Sequence, residues 1–153
     1  MSGLLAPLGD LLEGLDNLHA TLTEETEALR RGNADDLPRL TQGKAPQLAL
    51  INQLWAVLTQ SAGLGSTATA AALAARIAQL ADSESLKLWS RVEARAREVD
   101  RQNRLNGELI QEQLRHAQAA LRVLQDAANR SGLYGADGQS LTMFTGQRTI
   151  DEV

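Results

Sequence analysis

The chain has 153 residues, and 27 Leu with 24 Ala make up one residue in three. One Tyr, one Phe, two Trp and three Pro leave little of the stock that sheets draw on, so the composition points to an all-α protein. The absence of Cys excludes disulfide frameworks, zinc–thiolate sites, iron–sulfur clusters and thiol nucleophiles, and a net charge of −4 argues against nucleic acid as the main ligand.

A cysteine-free chain fits a reducing cytosol, so the expected location is cytoplasmic. No apolar run approaches the roughly 18 residues of a membrane span, so no membrane insertion is expected. The start, MSGLLAPLGD, has no basic n-region and its leucines are periodic, which does not read as a signal peptide.

The first segment, about 3–31, carries the plainest pattern. Leu4, Leu8, Leu11, Leu15, Leu18, Leu22, Glu25 and Leu29 follow steps of 4, 3, 4, 3, 4, 3 and 4, a helix–helix seam widened on one flank by Leu5 and Leu12. Gly9 and Gly14 weaken the helix locally, Arg30 and Arg31 suit its last turn, and Gly32 suits the stop. Asn33 then reads as the N-cap of a second helix over about 34–61, with Asp35 and Asp36 in its first turn. Its seam runs Leu37, Leu40, Lys44, Leu48, Ile51, Trp55 and Leu58, with Leu54 alongside. The short link makes the two helices an antiparallel hairpin. Pro46, after Gly43, predicts a kink or break between 42 and 46.

Residues 61–66, SAGLGS, read as a loop, and the Ala-rich stretch 67–81 as a shorter helix with Leu73, Ile77 and Leu80 on its apolar face. Asp82 or Ser83 caps the last and longest segment, about 83–131. Its stripe is Leu86, Trp89, Val92, Ala96, Val99, Asn103, Asn106, Ile110, Leu114, Ala117, Leu121, Leu124 and Ala128. A helix of that length spans about 70 Å against about 42 Å for the first, so one end projects beyond the bundle unless the helix breaks. The expected organisation is a bundle domain of about four helices over 1–131 and a flexible interaction segment over 132–153. That segment holds the chain's one Tyr (Tyr134) and one Phe (Phe144).

No catalytic constellation stands out. His19 and His116 are isolated, the GLGSTAT run at 63–69 lacks a P-loop lysine, and Glu24, Glu25 and Glu27 read as a charged helix end. The chain is expected to be no enzyme and to need no cofactor or metal. Two polar residues inside the seams, Glu25 and Lys44, read as a register-setting polar layer of the hairpin. In the last helix, Asn103, Asn106 and Gly107 either fix register and admit a close neighbour or mark where a partner peptide docks. The apolar knobs Ile110, Leu114, Leu121 and Leu124 suit covering the exposed apolar face of a partner helix.

In order along the chain stand TEETEALRRGNADDL (23–37), Lys44 in the second helix, QNRLNGELI (102–110) in the long final helix and LYGADGQ (133–139) after it. This series resembles the FlgN family of flagellar type III export chaperones, collinearly over most of the chain. The Asn-rich motif followed by Tyr-Gly-x-x-Gly is its most specific part. The chain departs from the family in its Ala-rich 67–81 stretch and in Pro46.

The resemblance implies a cytosolic chaperone that holds the C-terminal segments of the hook–filament junction proteins FlgK and FlgL. It would bring them to the export gate through the cytoplasmic part of FlhA. It places client binding in the later part of the last helix, giving Asn103, Asn106, Gly107, Ile110, Leu114, Leu121 and Leu124 as client-binding candidates and Tyr134 as the gate-docking candidate. The alternatives are a helical scaffold that self-associates, as a homo-dimer, through the same stripe, and a regulatory adaptor with no export role.

Overall fold

The computed structural model describes residues 3–33, 35–80 and 82–134, with side chains as far as Ser131. Every regular element among them is helical: α1 (Leu5–Arg31), α2 (Leu37–Ser61), α3 (Ala70–Leu80) and α4 (Ser83–Tyr134). The expected all-α bundle of four helices, with a long hairpin, a short Ala-rich helix and a very long final helix, is the fold. None of the described helices is long and apolar enough to cross a membrane.

The helix ends follow local chemistry. Gly32 adopts φ 66°, and Gly32 N and Asn33 N donate to the carbonyls of Leu29 and Ala28, closing α1 with its basic residues Arg30 and Arg31 in the last turn. α2 begins three residues later than expected, because Asn33 does not cap it: its Nδ2 donates to Asp36 Oδ2 at 2.9 Å, and Pro38 occupies the first turn. Asp82 caps α4, with Oδ1 accepting from Glu84 N (3.2 Å) and Oδ2 from Ser85 Oγ (2.7 Å). α4 runs to Tyr134, three residues past the expected end; the remainder of the expected flexible segment, 135–153 with Phe144, lies outside the described residues.

Pro46 does not break α2, which is continuous around it. The residue four before it, Gln42, is exposed together with Gly43, so Pro46 lies on a stretch of helix open to water.

The chain divides into two compact units, Met1–Leu109 and Ile110–Val153. In the first, the leucines of α1 form the centre of the core: Leu8, Leu11, Leu12 and Leu15 pack with Leu58 of α2, Leu73 and Ile77 of α3, and Trp89 and Val92 of α4. Gly14 permits the close hairpin approach, since a Cβ there would lie 3.1 Å from Leu54 Cδ1 and 3.5 Å from Ile51 Cγ1. Several positions depart from the expected stripes. Leu48, Leu80, Leu86, Ala96 and Asn103 are exposed, and the buried position on the first turn of α4 is Ser85. The second unit consists, among the described residues, of α4 from Ile110 onward, where no described side chain is buried.

Candidate partner-binding surface

The seam of α1 places a carboxylate where its leucine repeat calls for an apolar residue, and the first unit builds a polar layer around it. Glu25 is fully buried. Its Oε2 lies 2.8 Å from Lys44 Nζ, a mostly buried ammonium on α2, and its Oε1 accepts from Asn106 Nδ2 of α4 at 3.0 Å. The same amide nitrogen donates to Leu22 O at 2.9 Å, while Asn106 Oδ1 accepts from the Thr26 hydroxyl at 2.5 Å. Gln102 Nε2 completes the layer by donating to Thr26 Oγ1. A buried carboxylate requires a counter-charge and hydrogen-bond donors, and α2 and α4 supply them to this one. The expected hairpin layer is therefore present, with Lys44 paired directly to Glu25 and with α4 as a third contributor.

Further along the same helices, Arg95 bridges α4 to α1. Its Nε lies 2.6 Å from Asp16 Oδ1 and its Nη1 2.8 Å from Glu98 Oε2, with His19 Nδ1 3.3 Å from Nη1. These half-exposed groups align the helices but contribute modestly to stability, as solvated ion pairs do. Nearer the start of α4, Trp55 and Trp89 stand with ring centroids 6.4 Å apart and planes tilted by 37°. They line an apolar cavity of about 570 Å³ with Leu11, Leu15, Ile51 and Val92, edged by Asn52, Glu93 and Arg97.

The second unit offers a different surface. Ile110, Leu114, Leu121 and Leu124 are 43, 57, 56 and 65% exposed. An aliphatic side chain has no hydrogen bond to offer water, so a row of such groups on one helix is what a partner helix would cover. Val123, 67% exposed, widens the apolar surface beyond the expected stripe. Its position one residue from Leu124 puts it off the 3–4 repeat, which is why periodicity passes over it.

The candidates read from sequence thus separate. Ile110, Leu114, Leu121 and Leu124 share the exposed unit. Asn103 is exposed on the last turns of α4 within the first unit, and Gly107 is exposed with nothing within 4 Å of where a Cβ would be. Asn106 is placed otherwise: it is buried, and its side chain bonds to Thr26, Leu22 and Glu25 of α1, so it serves the polar layer. Tyr134 is the last residue of α4, and its side chain lies outside the described residues. Sequence reasoning missed Thr26, Gln102 and the Arg95 bridge. The available signal was the neighbourhood of Glu25, since Thr26 adjoins it and Gln102 precedes Asn106 by one turn.

Among the described residues no group of three or more His, Asp or Glu side chains is placed to hold a metal ion. The arrangement joins helices and presents apolar surface. The family model described as "FlgN protein" matches residues 1–142. No curated protein and no solved structure matches the chain.

Proposed function

The chain belongs to the FlgN family, and from that membership we propose that it is a cytosolic flagellar export chaperone. It binds the C-terminal helical segments of the hook-associated proteins FlgK and FlgL, prevents their premature assembly and delivers them to the export gate through an FlhA-like component. The observation that carries this reading is the exposed row Ile110, Leu114, Leu121 and Leu124 on a single helix. A client that polymerises through terminal helices exposes an apolar helix face while it is free. α4 covers that face by seating its own side chains between those of the client.

Such binding has to block assembly and yet release at the gate. Micromolar to nanomolar affinity, roughly −8 to −12 kcal/mol, meets both demands. Within the first unit, Trp89, Val92 and Asn106 hold α4 against its neighbouring helices. Client binding is assigned to the exposed residues of the stripe, with Asn103 and Gly107 at its margin, and gate docking to Tyr134. Asn106 contributes by holding α4 to α1.

Co-purification with a peptide from the C-terminus of FlgK or FlgL tests the reading. Retention of the peptide by the full chain is expected. Failure to retain either peptide at tens of micromolar overturns it.

A further inference from the structure

The exposed row of α4 is complementary to itself when read backwards. Its seam positions are Ile110, Leu114, Ala117, Leu121, Leu124 and Ala128, separated by 4, 3, 4, 3 and 4 residues. That step order is the same in either direction. A second helix of identical sequence running antiparallel therefore meets the first in register, with Ile110 opposite Ala128, Leu114 opposite Leu124 and Ala117 opposite Leu121. Every layer then sets a large side chain against a small one or a leucine against a leucine. A parallel pair in register would instead set Ala117 on Ala117 and Ala128 on Ala128, leaving two hollow layers.

The positions flanking the seam agree with this pairing. One flank carries Gln111, Gln118 and Gln125, and the other Gln113, Ala120 and Ala127. In an antiparallel pair each flank meets the like flank of its partner. A charged flank would then face its own charge. These flanks carry none, and a glutamine amide both donates and accepts, so glutamine facing glutamine is matched. The charged residues of this stretch, Glu112, Arg115, Arg122 and Asp126, occupy the remaining faces of the helix.

We infer that, in the absence of client and as its concentration rises, a second copy of this chain occupies the Ile110–Ala128 seam as an antiparallel helix pair, so that the paired form masks the binding stripe and takes up client only by exchange. The masking role rests on the reading of this stripe as the client site; the pairing itself does not. Four large and two small apolar residues per copy make a short seam, in the class of transient interfaces below about 1,200 Å². A weak pair of this kind covers the apolar row in the free protein and yields to a client with a longer complementary face.

The absence of native cysteine makes the test direct. Full-length Ala117→Cys and Leu121→Cys chains are oxidised separately and as a mixture. Mixed disulfide dimers are expected to exceed by several-fold those formed by either variant alone; homodimers formed as readily as mixed ones overturn the antiparallel register. The mass of the unmodified chain, followed by sedimentation from about 1 to about 200 µM, is expected to rise from monomer to dimer, and Leu121→Asp to abolish the rise while leaving helicity unchanged. A monomer throughout, or an unaltered rise in Leu121→Asp, overturns the pairing. The oxidised mixed dimer is finally offered a FlgK C-terminal peptide. No uptake before reduction and uptake after it supports masking, whereas equal uptake in both states overturns it. Peptide refused by both states, with the dimer intact, sinks the client reading and the masking role while the pairing stands.

Discussion

Asn106 Nδ2 of α4 donates to Glu25 Oε1 of α1 across 3.0 Å, and Glu25 Oε2 in turn meets Lys44 Nζ of α2 at 2.8 Å. One buried carboxylate thereby ties three helices, through a residue on each that breaks an otherwise apolar seam. The layer lies just ahead of the boundary at Leu109, so the last buried residue of α4 among the described ones also bonds directly to α1.

Removing Asn106 tests that role. In Asn106→Ala the carboxylate and the carbonyl of Leu22 both lose a buried donor, and a hydrogen bond to a charged group is worth about 1.5–3 kcal/mol. Urea denaturation is expected to show a loss of about 2–3 kcal/mol. Asn103→Ala, one turn away on the exposed side, should stay within about 0.5 kcal/mol of the unmodified chain. Equal effects from the two substitutions would contradict the placement.

The ion pair yields an asymmetric prediction. Lys44→Met leaves Glu25 buried without its counter-charge and should cost about 3 kcal/mol or more. Adding Glu25→Leu removes the stranded charge and restores the leucine repeat, so the double variant should recover most of that loss. A double-mutant cycle of thermal unfolding measures the coupling, and additive losses would show that the two groups act independently.

Two glycines of α1 should respond in opposite directions. Gly9 has open space around it, and Gly9→Ala is expected to stabilise by about 0.5–1 kcal/mol through helix propensity. Gly14 faces Leu54 at 3.1 Å, and Gly14→Leu should cost about 1–3 kcal/mol by overpacking or separating the hairpin. Denaturant midpoints of the two variants, compared at equal slope, decide the matter.

These contrasts mark how much was legible in the sequence. The leucine steps of α1 were enough to identify its buried face, and Gly32 its end, because a regular seam and a left-handed cap leave a direct imprint on residue order. Glu25 and Lys44 were legible as a pair because each interrupts a seam. Their contact was within reach of the same reading, since an antiparallel hairpin sets Lys44 about one turn from Glu25, and the two groups meet at 2.8 Å. The division between Asn103 and Asn106 was out of reach. Both lie near the same helical stripe, and only the packing of α4 on α1 decides which amide turns inward. Whether Pro46 would break α2 was not legible either, because the cost of an interior proline depends on what surrounds it, which residue order does not state.

A substitution at Tyr134 tests whether gate docking and client binding are separate. In the proposed division of roles, Tyr134→Ala retains a FlgK peptide with unchanged affinity and loses affinity for the cytoplasmic part of an FlhA-like gate by about tenfold, or about 1.4 kcal/mol. Pull-down with each partner checks it, and loss of the client peptide with gate docking intact would reverse the assignment.

One calorimetric comparison decides whether the exposed row of α4 is the client site. A FlgK C-terminal peptide is titrated into the full chain and into the chain carrying Leu121→Asp and Leu124→Asp, with unfolding midpoints measured alongside. Because both leucines are more than half exposed, the midpoints should agree to within about 0.5 kcal/mol. The account predicts micromolar or tighter binding by the unmodified chain and a loss of at least a hundredfold in the variant, about 2.7 kcal/mol. Equal affinity in the two chains would contradict it.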